Sequence, residues 1–147
     1  MARLSLWGEM LAGDDRPLWL SFTLLDDGPA LLRSGETIEA AAKTARKLGA
    51  KALLFNCSAP EVMENAVQQA KASIGDEAIQ IGVYANGFAH AEEAVDANAG
   101  LRDIRADLDP ARYLAWVQTW VASGATMIGG CCGIGPEHIA ALSGGLR

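Results

Sequence analysis

The sequence has no long apolar run, little positive charge and few cysteines, and each scarcity excludes a class of protein. Its apolar stretches fall well short of the roughly 20 residues that a membrane-spanning helix needs, so no membrane partner is expected. The 12 basic residues form no cluster and are outnumbered by 18 acidic ones, which argues against nucleic acid as a partner. The 3 cysteines include the neighbours Cys131 and Cys132, a poor basis for a disulfide framework. We therefore expect a cytoplasmic protein whose thiols serve chemistry or a metal.

What the sequence does contain is enough apolar surface for one domain. Of its 147 residues, 50% are hydrophobic and 20% are charged. Four short apolar runs predict β-strands at residues 18–23, 52–56, 79–84 and 125–128. Each run is nearly continuous rather than alternating, which is typical of parallel strands that are covered on both faces.

A helical pattern follows each run. Residues 37–48 are rich in alanine and stop before Gly49. Ser58 and Glu61 have the spacing of a capping box, which predicts the start of a helix that continues to Gly75.

Two further helices are predicted near the end of the chain. Asp109 and Pro110 open the third helix, and residues 135–137 open the short fourth one. The third helix carries one apolar stripe, formed by Leu114, Val117 and Val121. A second stripe, interpreted as helix–helix packing or a subunit contact, is formed by Tyr113, Trp116 and Trp120.

The alternation of four strands with four helices predicts an α/β fold with a parallel sheet and right-handed crossovers. A closed eightfold barrel takes about 250 residues, so four βα units form either an open sheet or half of such a barrel. The long connection at residues 86–109 contains His90, Glu92, Glu93 and Asp96. It is interpreted either as a functional loop such as a lid or as a solvated helical turn. His90 and His138 are predicted to be solvated.

All three cysteines follow predicted strands. Cys57 comes directly after the second run, and Cys131 and Cys132 come shortly after the fourth. The carboxyl ends of parallel strands share one edge of the sheet, where catalytic residues of such folds collect, so we expect the thiols to converge. Asn86, which follows the third run, either orients a substrate or is an ordinary turn residue.

Three converging thiolates suit zinc, with bonds of roughly 2.3 Å and one tetrahedral position left for a substrate. The alternative is that the cysteines are small buried hydrophobic residues that only pack. Glycines flank Cys131 and Cys132, and they allow the backbone to leave strand geometry so that adjacent thiols can bind one ion.

These motifs resemble those of the zinc-dependent homocysteine S-methyltransferase family. The resemblance rests on the Gly-Gly-Cys-Cys-Gly run at residues 129–133, the Gly-Pro-Glu-His-Ile run at 135–139 and the Phe-Asn-Cys-Ser run at 55–58. The Leu-Trp-Leu-Ser-Phe-Thr run at 18–23, together with Asp27-Gly28 and the Leu-Arg-Ser-Gly run at 32–35, is similar to the fifth strand of that family and its following loop.

The resemblance implies the carboxyl-terminal half of a (β/α)8 TIM-type barrel, with Zn²⁺ held by Cys57, Cys131 and Cys132. Residues 16–147 are then a partial homocysteine-binding barrel domain, and residues 1–15 are the remnant of a preceding helix. The implied reaction moves a methyl group from S-methylmethionine, S-adenosylmethionine, betaine or a methylfolate to homocysteine, which yields methionine. A half-barrel also predicts a homo-oligomer or a complementing amino-terminal half. The alternative function is a non-catalytic half-barrel that binds zinc or a partner chain.

Overall fold

The computed structural model describes residue 13, residues 15–89 and residues 104–146. These ranges contain the strands β1 (Trp19–Thr23), β2 (Ala52–Asn56), β3 (Gln80–Tyr84) and β4 (Met127–Ile128). They also contain the helices α1 (Ile38–Lys47), α2 (Pro60–Ile74), α3 (Pro110–Ser123) and α4 (Pro136–Gly145). Strands and helices alternate along the chain, so the predicted α/β order is confirmed.

Some predicted features fall outside this part of the chain. Of the proposed helix remnant at residues 1–15, only residues 13 and 15 are described. The middle of the long connection, with His90, Glu92, Glu93 and Asp96, also lies outside the described residues. Among the helices that are described, none has the length and apolar character needed to cross a membrane.

The strands form one parallel sheet in the order β1-β2-β3-β4. Because this spatial order follows the chain order and parallel crossovers are right-handed, the helices collect on one face of the sheet. Each helix packs against the next one along the chain. The opposite face carries no helix within the described ranges, and Trp19 at its edge is 52% exposed.

The core lies between the sheet and the helices. Alternate strand residues point to opposite faces, and Leu20, Leu53, Phe55 and Val83 pack towards the helical side. Helix α1 contributes one buried face that repeats at helical spacing, formed by Ile38, Ala41, Ala42 and Ala45. Its Thr37 side chain accepts a hydrogen bond from the Ala40 amide, which begins the helix one residue later than predicted.

The two stripes predicted on α3 are confirmed only in part. The buried face of this helix is Tyr113, Val117 and Trp120, whereas Val121 is 42% exposed. The two aromatic rings meet edge to face with centroids 5.7 Å apart. Large aromatic rings bury more surface than Leu114 and Val121 would, so the helix turns Tyr113 and Trp120 towards the core instead.

The end of α3 also sets where β4 begins. Gly124 ends the helix with φ 119°, and the Ala125 amide donates to the Trp120 carbonyl oxygen at 2.9 Å. Ala125 is therefore committed to the helix terminus. The ladder with β3 starts at Met127, two residues after the start of the predicted strand.

The predicted capping box of α2 is wrong as well. The residue at the N-cap is Ala59, which makes no side-chain capping bond. Ser58 is fully buried, and its hydroxyl instead accepts a hydrogen bond from the Leu24 amide at 2.8 Å. The Asp26 carboxylate, from the segment after β1, accepts from the Ala59 amide at 2.7 Å and takes over the capping role.

Candidate metal centre

Cys57 occupies the turn between β2 and α2. Its backbone has φ 49°, and no other non-glycine residue in the described ranges has a positive φ. The Cys57 amide donates to the Tyr84 carbonyl oxygen at 3.1 Å, which fastens the turn to the end of β3. A left-handed residue at this point ends the strand abruptly and leaves the thiol at the carboxyl end of the sheet.

Cys131 and Cys132 lie in the turn after β4, and backbone hydrogen bonds hold both of them against the segment that follows β3. The Cys131 amide donates to the Ala85 carbonyl oxygen at 2.9 Å. The Cys132 carbonyl oxygen accepts from the Gly87 amide at 2.7 Å. These two hydrogen bonds connect the segment after β3 to the turn that carries both thiols.

The glycines of this turn are required by space and by backbone angle. Gly133 has φ 77°, a region that residues with a side chain rarely adopt. A Cβ atom on Gly130 would lie 2.6 Å from the Ile134 Cβ atom, closer than real side chains approach each other. The sequence argument that glycine lets this backbone leave strand geometry therefore agrees with the structure.

Tyr113 supports the same turn from the helical side. Its hydroxyl donates to the Gly129 carbonyl oxygen at 2.7 Å, and burial raises the pKa of this phenol well above its usual value. His138 packs edge to face on the Tyr113 ring with centroids 5.8 Å apart. The sequence pattern assigned Tyr113 only to packing, because its hydrogen bond depends on how α3 docks.

The prediction that His138 is solvated is wrong. His138 is 7% exposed, and its Nδ1 atom accepts from the Gly135 amide at 3.1 Å. Its Nε2 atom lies 3.0 Å from the Leu108 carbonyl oxygen and donates there while Nδ1 accepts. The imidazole thus joins the start of α4 to the segment before α3.

The three thiols converge. The Sγ atoms of Cys57 and Cys132 are 3.9 Å apart, and those of Cys131 and Cys132 are 3.8 Å apart. All three sulfurs lie within 4.8 Å of one another, an arrangement that could hold a metal ion. A tetrahedral ion with metal–sulfur bonds of roughly 2.3 Å separates its sulfurs by about 3.8 Å.

The electrostatics of the cluster favour a cation. Burial, together with the neighbouring Cys131 and Cys132 thiols, raises the pKa of the Cys57 thiol to about 12. Three thiolates at these distances repel one another unless a positive ion lies between them. The donor set consists of sulfur alone, which suits a soft or borderline metal such as zinc rather than magnesium or calcium. Cys132 is exposed, so the cluster is open to solvent on one side.

Asn86 lies beside the cluster. Its amide donates to the Ser58 carbonyl oxygen at 3.1 Å, and its side-chain oxygen accepts from the Phe88 amide at 3.1 Å. The turn role is therefore present. Asn86 also lines a cavity of about 250 Å³ together with Asp26, Glu61 and Arg105, so a role in orienting a substrate stays a prediction.

Arg105 is a residue of this region that no sequence pattern indicated. Its guanidinium pairs with Glu61 at 2.7 Å and with Asp107 at 2.8 Å, and the two carboxylates raise its pKa above its usual value. Its amide donates to the Gly87 carbonyl oxygen at 2.8 Å. Arg105 thus fastens the returning end of the long connection to the turn after β3, a contact that only the tertiary structure reveals.

Solved structures with a similar fold are known. The chain is similar to the homocysteine methyltransferase MmuM from Escherichia coli, with 26% identity over 97% of this chain. The TM-score is 0.69 for the metallated form, 0.69 for the apo form and 0.70 for the oxidized form. The match covers 41%, 45% and 41% of those chains, respectively, so this chain spans less than half the length of the relatives it matches.

Four parallel βα units that match less than half of these relatives define a partial (β/α)8 barrel with a cluster of three thiols at the carboxyl ends of its strands. The sequence profile of the homocysteine S-methyltransferase family matches residues 3–146. The chain therefore belongs to the homocysteine S-methyltransferase family, as its cysteine motifs predicted.

Proposed function

We propose that this chain provides the zinc-binding half of an enzyme that methylates homocysteine to methionine. Cys57, Cys131 and Cys132 would hold Zn²⁺, and the homocysteine sulfur would take the remaining position. The observation that carries the proposal is the convergence of the three thiols, with two sulfur separations of 3.8 and 3.9 Å. Membership of the family and the existence of a metallated form of the E. coli relative support it.

Zinc bound by three thiolates would supply the positive charge that removes the proton of a fourth thiol at neutral pH. The three cysteines together bring a charge of −3, which exceeds the charge of the ion. The site therefore withdraws little electron density from a substrate sulfur, which stays nucleophilic. The exposed side of the cluster at Cys132 gives that sulfur a route of approach.

The donor must release a methyl group to a thiolate. The new sulfur–carbon bond forms as the bond between the methyl carbon and its old partner breaks, and the electron pair leaves with the donor. A sulfonium such as S-methylmethionine or S-adenosylmethionine, the quaternary ammonium of betaine, or a methylfolate amine meets this requirement. The substrate-orienting role of Asn86 belongs to the same proposal, because its neighbours Ala85 and Gly87 make backbone hydrogen bonds to Cys131 and Cys132.

A second half of the barrel is part of the proposal. The chain matches 41 to 45% of the E. coli relative, and the sheet face that carries no helix among the described residues includes the exposed Trp19. We infer that a complementing half or a second copy of the chain covers this face, in the cytoplasm where thiols stay reduced. Residues 16–147 would then form one domain. The same observation favours the second candidate, a half-barrel that binds zinc or a partner without catalysis.

The test combines metal analysis with a methylation assay. The reduced chain should retain about one zinc per molecule, and Cys57→Ser should lose it while its circular dichroism stays unchanged, since a catalytic metal is added to a scaffold. Homocysteine methylation is then measured with each donor, with and without the amino-terminal half of a relative. A chain that takes up no zinc would contradict the metal centre. Bound zinc without methylation in any combination would favour the non-catalytic candidate.

A further inference from the structure

The turn that carries Cys57 has a backbone conformation that a residue with a side chain adopts only under constraint. Its φ of 49° is the single positive value among the described non-glycine residues. Such a conformation persists only where the surrounding structure holds it. A relaxed Cys57 backbone would rotate Cβ and move Sγ away from Cys132, which is now 3.9 Å away.

Ser58 fixes the chain immediately after Cys57. Its hydroxyl accepts from the Leu24 amide at 2.8 Å and lies 3.0 Å from the Asn56 carbonyl oxygen, to which it can donate. The residue is fully buried, so these bonds are shielded from water. One serine thereby joins the residues on either side of Cys57 to the end of β1.

Asp26 fixes the next residue. One carboxylate oxygen accepts from the Ala59 amide at 2.7 Å, and the other pairs with Arg33 at 3.1 Å. The Asp26 side chain is only 18% exposed. Asp26 supplies the only acceptor identified for the Ala59 amide in the described structure. The carboxylate also lies at the positive end of the α2 dipole.

We propose that Asp26 is a positioning residue for the metal ligand Cys57. No hydrogen bond joins its carboxylate to the thiols in the described structure, and it acts through the Ala59 amide, two residues after Cys57. The inference rests on the proposed metal centre and adds to it the residue that keeps one ligand in place. Outer residues that orient a metal ligand typically change metal affinity by about 10 to 100-fold when they are replaced.

The experiment measures metal affinity on the full chain under reducing conditions. Co²⁺ is titrated by its thiolate charge-transfer absorption, and Zn²⁺ by competition with a chromophoric chelator. Asp26→Ala should weaken both affinities about tenfold and reduce the charge-transfer intensity at saturation. Asp26→Asn keeps an acceptor for the Ala59 amide and should bind within about twofold of wild type. All measurements are made below the melting temperature of each metal-free variant.

Two further variants separate position from charge and from folding. Asp27→Ala removes the same charge from the neighbouring residue, which also lines the cavity, and should bind like wild type. Ala59→Pro keeps the Asp26 side chain but removes the amide donor and puts the proline Cδ atom where the carboxylate now lies 2.7 Å from the nitrogen; the Ala59 φ of −59° suits proline. It should weaken metal binding about as much as Asp26→Ala does. It also tests the same hydrogen bond if Asp26→Ala folds poorly.

The outcomes are distinct. Wild-type affinity in Asp26→Ala or in Ala59→Pro overturns the positioning role while the metal centre stands. Equal losses in Asp26→Asn and Asp26→Ala also overturn it, because the hydrogen bond would then not be the cause. A wild-type chain that binds neither Co²⁺ nor Zn²⁺ overturns the proposed metal centre itself, and with it the role of Asp26.

Discussion

The Cys57 turn and the glycine-rich turn at residues 129–133 bring thiols to the same point, but they are held in different ways. Cys57 itself adopts the left-handed backbone, and the side chains of Ser58 and Asp26 secure the residues that follow it. In the second turn, neither Cys131 nor Cys132 has a positive φ. There the unusual angle falls on Gly133, and backbone hydrogen bonds do most of the holding.

This difference indicates where each turn is vulnerable. The Cys57 turn depends on polar side chains that link it to the segment after β1, so it should be sensitive to the loss of a hydrogen bond. The glycine-rich turn depends on the absence of side chains, so it should be sensitive to added atoms. Removing a polar group should therefore harm the Cys57 turn more, whereas adding a methyl group should harm the glycine-rich turn more.

The largest effect is expected from Gly130→Ala. The new Cβ would lie 2.6 Å from the Ile134 Cβ, close to the backbone, where a rotamer change cannot relieve the clash. Overpacking of this kind costs about 2 kcal/mol of unfolding free energy. The displaced turn should also lose metal, because Cys131 follows directly. Urea unfolding and zinc content are the measurements.

The control for this prediction is Gly144→Ala. No heavy atom lies within 4 Å of a Cβ built at Gly144, which is exposed near the end of α4. Alanine there should leave the zinc content unchanged and stabilise the helix by up to about 1 kcal/mol. Equal unfolding free energies for Gly130→Ala and wild type would show that the turn adapts, and that its glycines are not required by space.

Glycine and alanine substitutions at Cys57 and at Cys131 compare the backbone of the two turns in the metal-free protein. Cys57→Gly should be more stable than Cys57→Ala by about 1 kcal/mol, because glycine adopts a positive φ without steric cost. At Cys131 the order should reverse, and Cys131→Gly should be less stable than Cys131→Ala by about 0.5 to 1 kcal/mol, since glycine there only adds entropy to the unfolded chain.

Chemical denaturation of all four variants measures these differences. Each comparison removes a thiol from both members of the pair, so the loss of the sulfur cancels. The same order of stability at both positions would contradict the view that only the Cys57 turn stores backbone strain.

Much of this architecture can be predicted from the sequence. The four apolar runs predict four strands and their parallel order, because short buried strands and intervening helices leave few other topologies. The thiol cluster was predicted from the strand ends for the same reason. That agreement depends on hydrophobic periodicity and on the order of strands and helices along the chain, both of which can be taken directly from the sequence.

Contacts between distant residues could not be predicted. Asp26 caps α2 across 33 positions, and the local pattern of Ser58 and Glu61 suggested a different cap. The burial of His138 depends on the Leu108 carbonyl oxygen, 30 positions away. The rotation of α3 is set by two aromatic rings that compete with aliphatic residues for the core, and helical periodicity alone does not decide between two apolar stripes.

The smallest expected effect concerns the one side-chain hydroxyl identified above as supporting the glycine-rich turn. Tyr113→Phe removes the hydrogen bond to the Gly129 carbonyl oxygen and should cost about 1 kcal/mol of unfolding free energy at pH 8. Burial raises the pKa of Tyr113 in the folded state, whereas in the unfolded chain the phenol should ionise near its ordinary value of 10.0. The stability that Tyr113 provides is therefore fully present below pH 10 and decreases as the pH rises towards the folded-state pKa.

The difference between wild type and Tyr113→Phe should accordingly shrink above pH 10, pass through zero before pH 11 and be reversed at pH 11, where ionisation of the unfolded tyrosine contributes roughly 1.4 kcal/mol to unfolding. Urea unfolding of both metal-free proteins at several pH values between 8 and 11 measures this, and the comparison cancels every other titrating group that the two proteins share. A difference that stays constant over this range would mean that Tyr113 ionises as readily in the folded protein as in the unfolded chain. Its hydroxyl would then not be the buried donor that holds the turn, and the glycine-rich turn would rest on its backbone bonds alone.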